Sequence, residues 1–141
     1  MKTLKGGHAA WAGLLCLCLL QPARAAIQFE DRTAASGLTT VLYAGYGSAW
    51  SDFNGDGWPD VWIGNHMYQP GLYVNQKDGT FANTIQTVWQ GDPLLDAHAA
   101  AWADFDNDGD ADLAELSGVN MGTSSHKKYF FVNRAGRLID E

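Results

Sequence analysis

Asp104, Asp106, Asp108, Asp110 and Asp112 stand at every second position of the stretch DFDNDGDAD. In an extended strand, side chains two apart share a face. The carboxylates would then lie about 7 Å apart, and each adjacent pair would cost roughly 0.6 kcal/mol even in water. A tight loop closed around a cation reverses the sign of that energy. Calcium suits such a loop, because it takes roughly six to eight oxygen ligands at about 2.3–2.6 Å in flexible geometry. Side-chain oxygens from loop positions 1, 3, 5 and 9, with a backbone carbonyl from position 7, wrap one ion. A glycine at position 6 permits the sharp turn. Here those positions are Asp104, Asp106, Asp108, Asp112, the carbonyl of Asp110, and Gly109.

The pattern also occurs 52 residues earlier, in DFNGDGWPD. Its ligands would be Asp52, Asn54, Asp56, the carbonyl of Trp58, and Asp60, with Gly57 at the turn. An ordinary Asx-rich turn accounts for one such stretch. Two copies in register, each entered by Ala-Trp-x-Asp-Phe, favour metal ligands. The first copy has Ile63 where an EF-hand has its twelfth-position glutamate; Glu115 stands there in the second copy, but the flanking stretches have strand and not helix periodicity, so an EF-hand with its flanking helices is not expected. The second loop has four carboxylates in ligand positions against three in the first, and is expected to bind Ca²⁺ more tightly. Extracellular calcium sites typically have Kd of about 10⁻⁴–10⁻³ M. At millimolar calcium one such site stabilises a fold by roughly 0.4–1.4 kcal/mol.

Paired carboxylates also serve glycoside hydrolysis. Here, however, every clustered aspartate already has a ligand position. The chain has no Gly-x-Ser-x-Gly elbow and no His-Glu-x-x-His. A protein that is not an enzyme is therefore expected. His66, His98 and His126 show no metal-ligand spacing and read as surface or loop histidines. Trp50, Trp102, Phe53 and Phe105 read as packing between repeats. Trp58, matched by Asp110 in the second copy, is placed to stack on a sugar or a partner if it is exposed.

These loops need a scaffold that repeats with them. Trp50 pairs with Trp102, Asp52 with Asp104, Phe53 with Phe105, Gly57 with Gly109 and Asp60 with Asp112, all at an offset of 52. LYVNQKDGTF resembles the later FFVNRAGRL at a larger offset, which places extra residues around NMGTSSHKK. FEDRTAASGL resembles the end of a unit. SAWSDF alternates, VWIGN is a short buried run, and PG and KDG mark turns. Strands are predicted at 47–53, 60–65, 71–75 and 81–85, then at 98–105, 112–117, 128–133 and 137–140. DPLLDAHAAAWA has helical composition, but its place in the repeat predicts a strand through its second half.

Four strands per repeat of about 50 residues is the spacing of a β-propeller blade. The expected fold is all-β: two four-stranded antiparallel propeller blades plus a leading strand at 29–33. Propellers typically close with about four to eight blades. The expectation is thus a piece of a longer protein or, failing that, association of several copies. The predicted divisions are a signal peptide at 1–25, leading strand and linker at 26–46, a first repeat at 47–85, and a second repeat with the start of the next unit at 86–141.

The first 25 residues have the layout of an export signal: Lys2 and Lys5, then the apolar run AAWAGLLCLCLL, then QPARAA with small residues at Ala23 and Ala25. That run is too short to span hydrocarbon, which takes roughly 20 residues. Cys16 and Cys18 follow leucines, which disfavours lipidation, and both would leave with the signal. The exported chain would then lack disulfides despite an oxidising destination. Losing Lys2, Lys5 and Arg24 moves the formal charge from −7 to −10. That charge opposes nucleic acid and anionic membranes and suits divalent cations.

AWSDFNGDGWPDVWIGN with LYVNQKDGTF, and AWADFDNDGDADLAEL with FFVN, resemble FG-GAP/VCBS repeats, the blades of integrin-α-like propellers. FEDRTAASGL with LYVNQKDGTF is most similar to the ASPIC/UnbV and cartilage acidic protein branch. The resemblance covers nearly all of 27–141. It implies that the loops join the first two strands of each blade and bind structural Ca²⁺ at the positions above. It also implies a secreted or periplasmic scaffold, recognition or adhesion module with a protein or glycan ligand. The alternative is a non-catalytic segment of a larger propeller enzyme acting on extracellular polysaccharide.

Overall fold

Each aspartate loop joins the first two strands of a four-stranded antiparallel sheet in the computed structural model, which describes residues 26–38, 45–91, 96–118 and 128–141. Sheet 1 comprises β1 (Gly45–Ser51), β2 (Asp60–Asn65), β3 (Gly71–Asn75) and β4 (Phe81–Asn83), in that spatial order. A one-turn helix, α1 (Ile85–Val88), follows. Sheet 2 repeats the order with β5 (Ala97–Ala103), β6 (Asp112–Ser117), β7 (Lys128–Asn133) and β8 (Leu138–Asp140). This is the up-and-down order of a propeller blade, and all eight strands lie within two residues of their predicted ends. Even the irregularities repeat: the register shifts between Gly45 and Ser48 in β1, and between Ala97 and Ala99 in β5.

Two elements differ from expectation. The leading strand at 29–33 does not form; residues 26–32 lie in no strand, and a turn follows at 33–37. Local hydrogen bonds explain this. The Asp31 carboxylate accepts the Thr33 N–H at 2.9 Å, and the Ser36 N–H donates to the Arg32 carbonyl at 2.8 Å. These side-chain and i→i+4 bonds compete with strand pairing. The Ser36 carbonyl nonetheless accepts the Phe81 N–H at 2.8 Å, so the turn abuts β4. Second, the strand predicted to reach residue 85 ends at Asn83, whose side chain accepts the Ile85 N–H and turns the backbone into α1. The predicted export signal (1–25), residues 39–44 of the expected linker and His126 lie outside the described residues.

Strand pairing sorts the side chains onto two faces. In sheet 1, Ala49, Trp62 and Leu72 are cross-strand neighbours on one face, and Trp50, Val61 and Tyr73 on the other. In sheet 2, Trp102, Leu113 and Phe131 share one face, and Ala101, Ala114 and Phe130 the other. The core forms where unlike faces meet. Phe53, Trp62, Leu72 and Ile85 of the first unit pack with Leu113, Tyr129, Phe131 and Leu138 of the second. The Trp102 ring lies 5.7 Å from the Phe53 ring and donates its indole N–H to the Ala49 carbonyl at 3.2 Å. A Cβ on Gly64 would lie 2.6 Å from the Ala97 carbonyl oxygen, so glycine is what lets β2 approach β5.

The expected packing role thus holds for Phe53 and Trp102 but not for their repeat mates. Trp50 and Phe105 are about half exposed, as are Leu116, Phe130 and Ile139. Phe105 and Phe130 occupy on sheet 2 the places that the buried Phe53 and Leu72 occupy on sheet 1. The same surface is covered once and open once.

Glu115 shares the packed face of sheet 2 and is 1% exposed. Burial pushes its carboxyl up to about 7; the Ser117 hydroxyl opposes the shift and the Asp96 charge adds to it. Its folded value therefore lies above the ordinary 4.5 of the unfolded chain. Between those values the unfolded chain holds fewer protons, so stability falls as pH rises from about 4.5 to about 7. Glu115→Gln should remove this loss. Urea unfolding is expected to show the variant roughly 2–3 kcal/mol more stable than wild type at about pH 8, and nearly equal at about pH 4.

Candidate metal centre

Both loops close on their own backbone N–H groups in the same way. In the first, the Asp56 N–H donates to Asp52 Oδ1 at 2.9 Å and Asn54 Oδ1 at 3.0 Å. Gly57 N–H donates to Asp52 Oδ2 at 2.8 Å, and Trp58 N–H to Asp56 Oδ1 at 3.0 Å. In the second, Asp108 N–H reaches Asp104 Oδ1 at 3.1 Å and Asp106 Oδ1 at 3.2 Å. Gly109 N–H reaches Asp104 Oδ2 at 3.1 Å, and Asp110 N–H reaches Asp108 Oδ1 at 3.0 Å. Gly57 and Gly109 adopt φ of 85° and 97°, which side chains rarely tolerate. Asn107, at φ 59°, stands where the first loop has Gly55, and asparagine is among the few residues that enter this region readily.

The ninth-position aspartates do a different job from the rest. Asp60 is 1% exposed and accepts the Phe53 N–H at 3.1 Å and the Asn75 N–H at 2.8 Å. Asp112 is fully buried and accepts the Phe105 N–H at 2.7 Å and the Asn133 N–H at 2.8 Å. Each carboxylate therefore clamps the start of its loop to the end of the third strand. Each oxygen keeps a second lone pair for a cation. Burial pushes the Asp60 carboxyl up; the Asn75 and Phe53 N–H groups oppose this and the charges of Asp56 and Asp52 reinforce it.

Asp104, Asp106 and Asp108 bring one carboxylate oxygen each to within 4.8 Å of one another. An all-oxygen cluster of this kind fits a hard cation such as Ca²⁺. Neither the Asp110 nor the Asp112 carboxylate is part of that cluster. Asn54 and the Trp58 carbonyl give the first loop the matching donors, with one carboxylate fewer.

Each loop also has a cation that the spacing does not reveal. Lys77 Nζ lies 3.2 Å from Asp56 Oδ2. Arg134 pairs with Asp106 and, at 2.9 Å, with Asp108. That guanidinium holds the Asp106 carboxyl below its ordinary range, against a smaller opposing effect of desolvation. At Asp56, desolvation opposes ionisation, but Lys77, the Trp58 N–H and Asn54 together hold the carboxyl low. Asn75 and Asn133 were also missed as clamp partners, although the paired Val-Asn in LYVN and FFVN marks both. His66 and His98, read from the sequence as surface or loop histidines without metal-ligand spacing, converge on Asp96, His98 from within β5. They lie 32 residues apart, and only the fold brings them together.

Residues 52–114 match the model of the FG-GAP-like repeat family. The match supports the FG-GAP repeat family. It starts at Asp52 in the first loop and ends just past Asp112, so the FG-GAP-like stretch holds both loops, β2 to β4 of sheet 1 and β5. No curated protein matches the chain.

Clamp and ligand roles separate experimentally. Asp112→Ala leaves two backbone N–H groups without acceptors, and is expected to cost about 2–4 kcal/mol of unfolding free energy in calcium-free buffer. Asp108→Ala should leave calcium-free stability nearly unchanged and abolish the stronger calcium site in calorimetry. Arg134→Ala should raise calcium affinity severalfold, because it removes a competing cation.

Proposed function

We propose that this chain is a calcium-stabilised FG-GAP-like repeat protein that acts outside the cytoplasm as a non-catalytic scaffold or recognition module. The observation that carries this reading is the repeated loop: two donor sets in register, each closed by the same Asx turns and anchored by a buried aspartate clamp. The calcium is structural, because the loops tie the first two strands of each sheet and the described chain has no disulfide to do so. The N-terminal export layout and the acidic balance support an extracellular or periplasmic setting. Among the described residues no helix is long and apolar enough to cross a membrane. Trp58, nearly half exposed beside the first loop, offers an aromatic face to a protein or glycan ligand.

The open faces add a partner of defined kind. Phe105, Leu116, Phe130 and Ile139 on sheet 2 present the counterpart of the surface that sheet 1 buries, and Trp50 on sheet 1 presents the counterpart of Trp102. A second copy would dock head to tail, one copy's sheet 2 against the other's sheet 1.

Two measurements test these readings. Chelation of calcium from the full chain should lower its melting temperature by about 3–10 °C, restored by millimolar Ca²⁺. A melting curve indifferent to calcium would overturn the structural role. Sedimentation velocity should show mass rising with concentration, and Phe130→Glu on one face or Trp50→Glu on the other should each leave a monomer. A wild type that stays monomeric throughout would rule out docking between copies.

A further inference from the structure

We propose that His66, Asp96 and His98 form a binding site for a divalent transition-metal ion, represented by Zn²⁺, at the seam between the two sheets. The site is separate from the aspartate loops and differs from them in chemistry. His66 Nδ1 lies 2.7 Å from Asp96 Oδ1, His98 Nε2 lies 3.1 Å from the same oxygen, and the two ring nitrogens are 3.2 Å apart. The three atoms form a nearly equilateral triangle. Zinc bound tetrahedrally at about 2.0–2.1 Å separates its ligands by about 3.3 Å, so one ion seats on this triangle with small adjustments. Hydrogen bonding accounts for it less well. Asp96 Oδ1 already accepts the Met67 N–H at 3.0 Å, and two neutral imidazoles cannot both donate to that oxygen and also bond to each other. A cation satisfies all three edges at once.

The donor set selects the metal class. Two imidazoles and one carboxylate favour zinc, iron, nickel or copper over calcium, which prefers oxygen alone. The fold holds the donors firmly. Asp96 is buried; Met67, next to His66, and Asp96 itself adopt φ of 60° and 65°, a conformation that costs non-glycine residues free energy and concentrates at functional sites. The Tyr46 ring packs 4.7 Å from both imidazole rings. The Gly118 N–H donates to the Asp96 carbonyl at 2.8 Å, and a Cβ on Gly118 would lie 2.4 Å from His98 Nε2. The imidazoles themselves are 36% and 38% exposed, so the remaining coordination positions face solvent and take water or a small ligand. His66 follows β2 and His98 lies in β5, so the ion pins sheet 1 to sheet 2.

The test uses the full chain saturated with Ca²⁺, to which Zn²⁺ is added in a calorimeter. One zinc equivalent should bind beyond the calcium. His66→Gln and His98→Gln should each weaken it by more than about 100-fold, the upper end of what loss of a residue supporting a metal ligand costs. Asp108→Ala should leave it unchanged. Zinc affinity equal in wild type and both histidine variants, or lost in Asp108→Ala, overturns the proposal. Should the histidine variants fail to fold, Co²⁺ added to the wild type decides: paramagnetically shifted imidazole resonances from two histidines support the site, and their absence sinks it.

Discussion

The rest of the molecule hangs on the buried carboxylate at the end of each aspartate loop. Asp60 and Asp112 each accept two backbone N–H groups, one where the loop starts and one where the third strand ends. The two clamps are also linked. Asn133, held through its N–H by Asp112, donates its side-chain amide to the Phe53 carbonyl at 2.9 Å, and the Phe53 N–H is held by Asp60. A continuous hydrogen-bonded path therefore runs from one loop to the other across the seam between the sheets. Both carboxylates are removed from water, where unpaired charge is costly, so the path stands only when every donor is in place.

That arrangement explains why loop and core cannot be considered separately. Phe53 sits directly after the first ligand position, with its backbone in the clamp and its ring against Trp102. A cation held in the Asp52 loop would act on a backbone that also positions the core. Arg134 and Lys77 place their own charge there, which is how clustered carboxylates coexist in the folded chain. The second loop has more carboxylates, and it also has the cation with two aspartate contacts.

Much of the fold was legible because the repeat reports it twice. A strand boundary marked weakly in one unit, such as the end of DPLLDAHAAAWA, is marked by its counterpart SAWSDF in the other. The leading segment 29–33 had no second copy to check it, and the Asp31 and Ser36 side chains turned it away from strand. The turns of the two aspartate loops were legible because their spacing is local. Their partners were not: Asn133 reaches Phe53 across 80 residues, and Arg134 reaches Asp106 across 28. The histidines illustrate the limit most clearly, since His66 and Asp96 meet only after the two sheets stack.

The aromatic positions show why one side-chain type can take two environments without a change in sequence logic. Phe53 and Phe105 enter their loops identically, and each backbone N–H is held by the same clamp. Phe53 is buried because sheet 2 lies against it; Phe105 is exposed because it faces away from sheet 1. The difference is set by neighbours and not by local conformation, so each unit is built to be covered on both sides. A face of Phe105, Leu116, Phe130 and Ile139 holds apolar area in water, and burying such a side chain yields roughly 1.5–3 kcal/mol. The clamp holds each unit in shape, and the open faces supply the drive to stack. Metal at the seam would then strengthen a contact that hydrophobic burial has already formed.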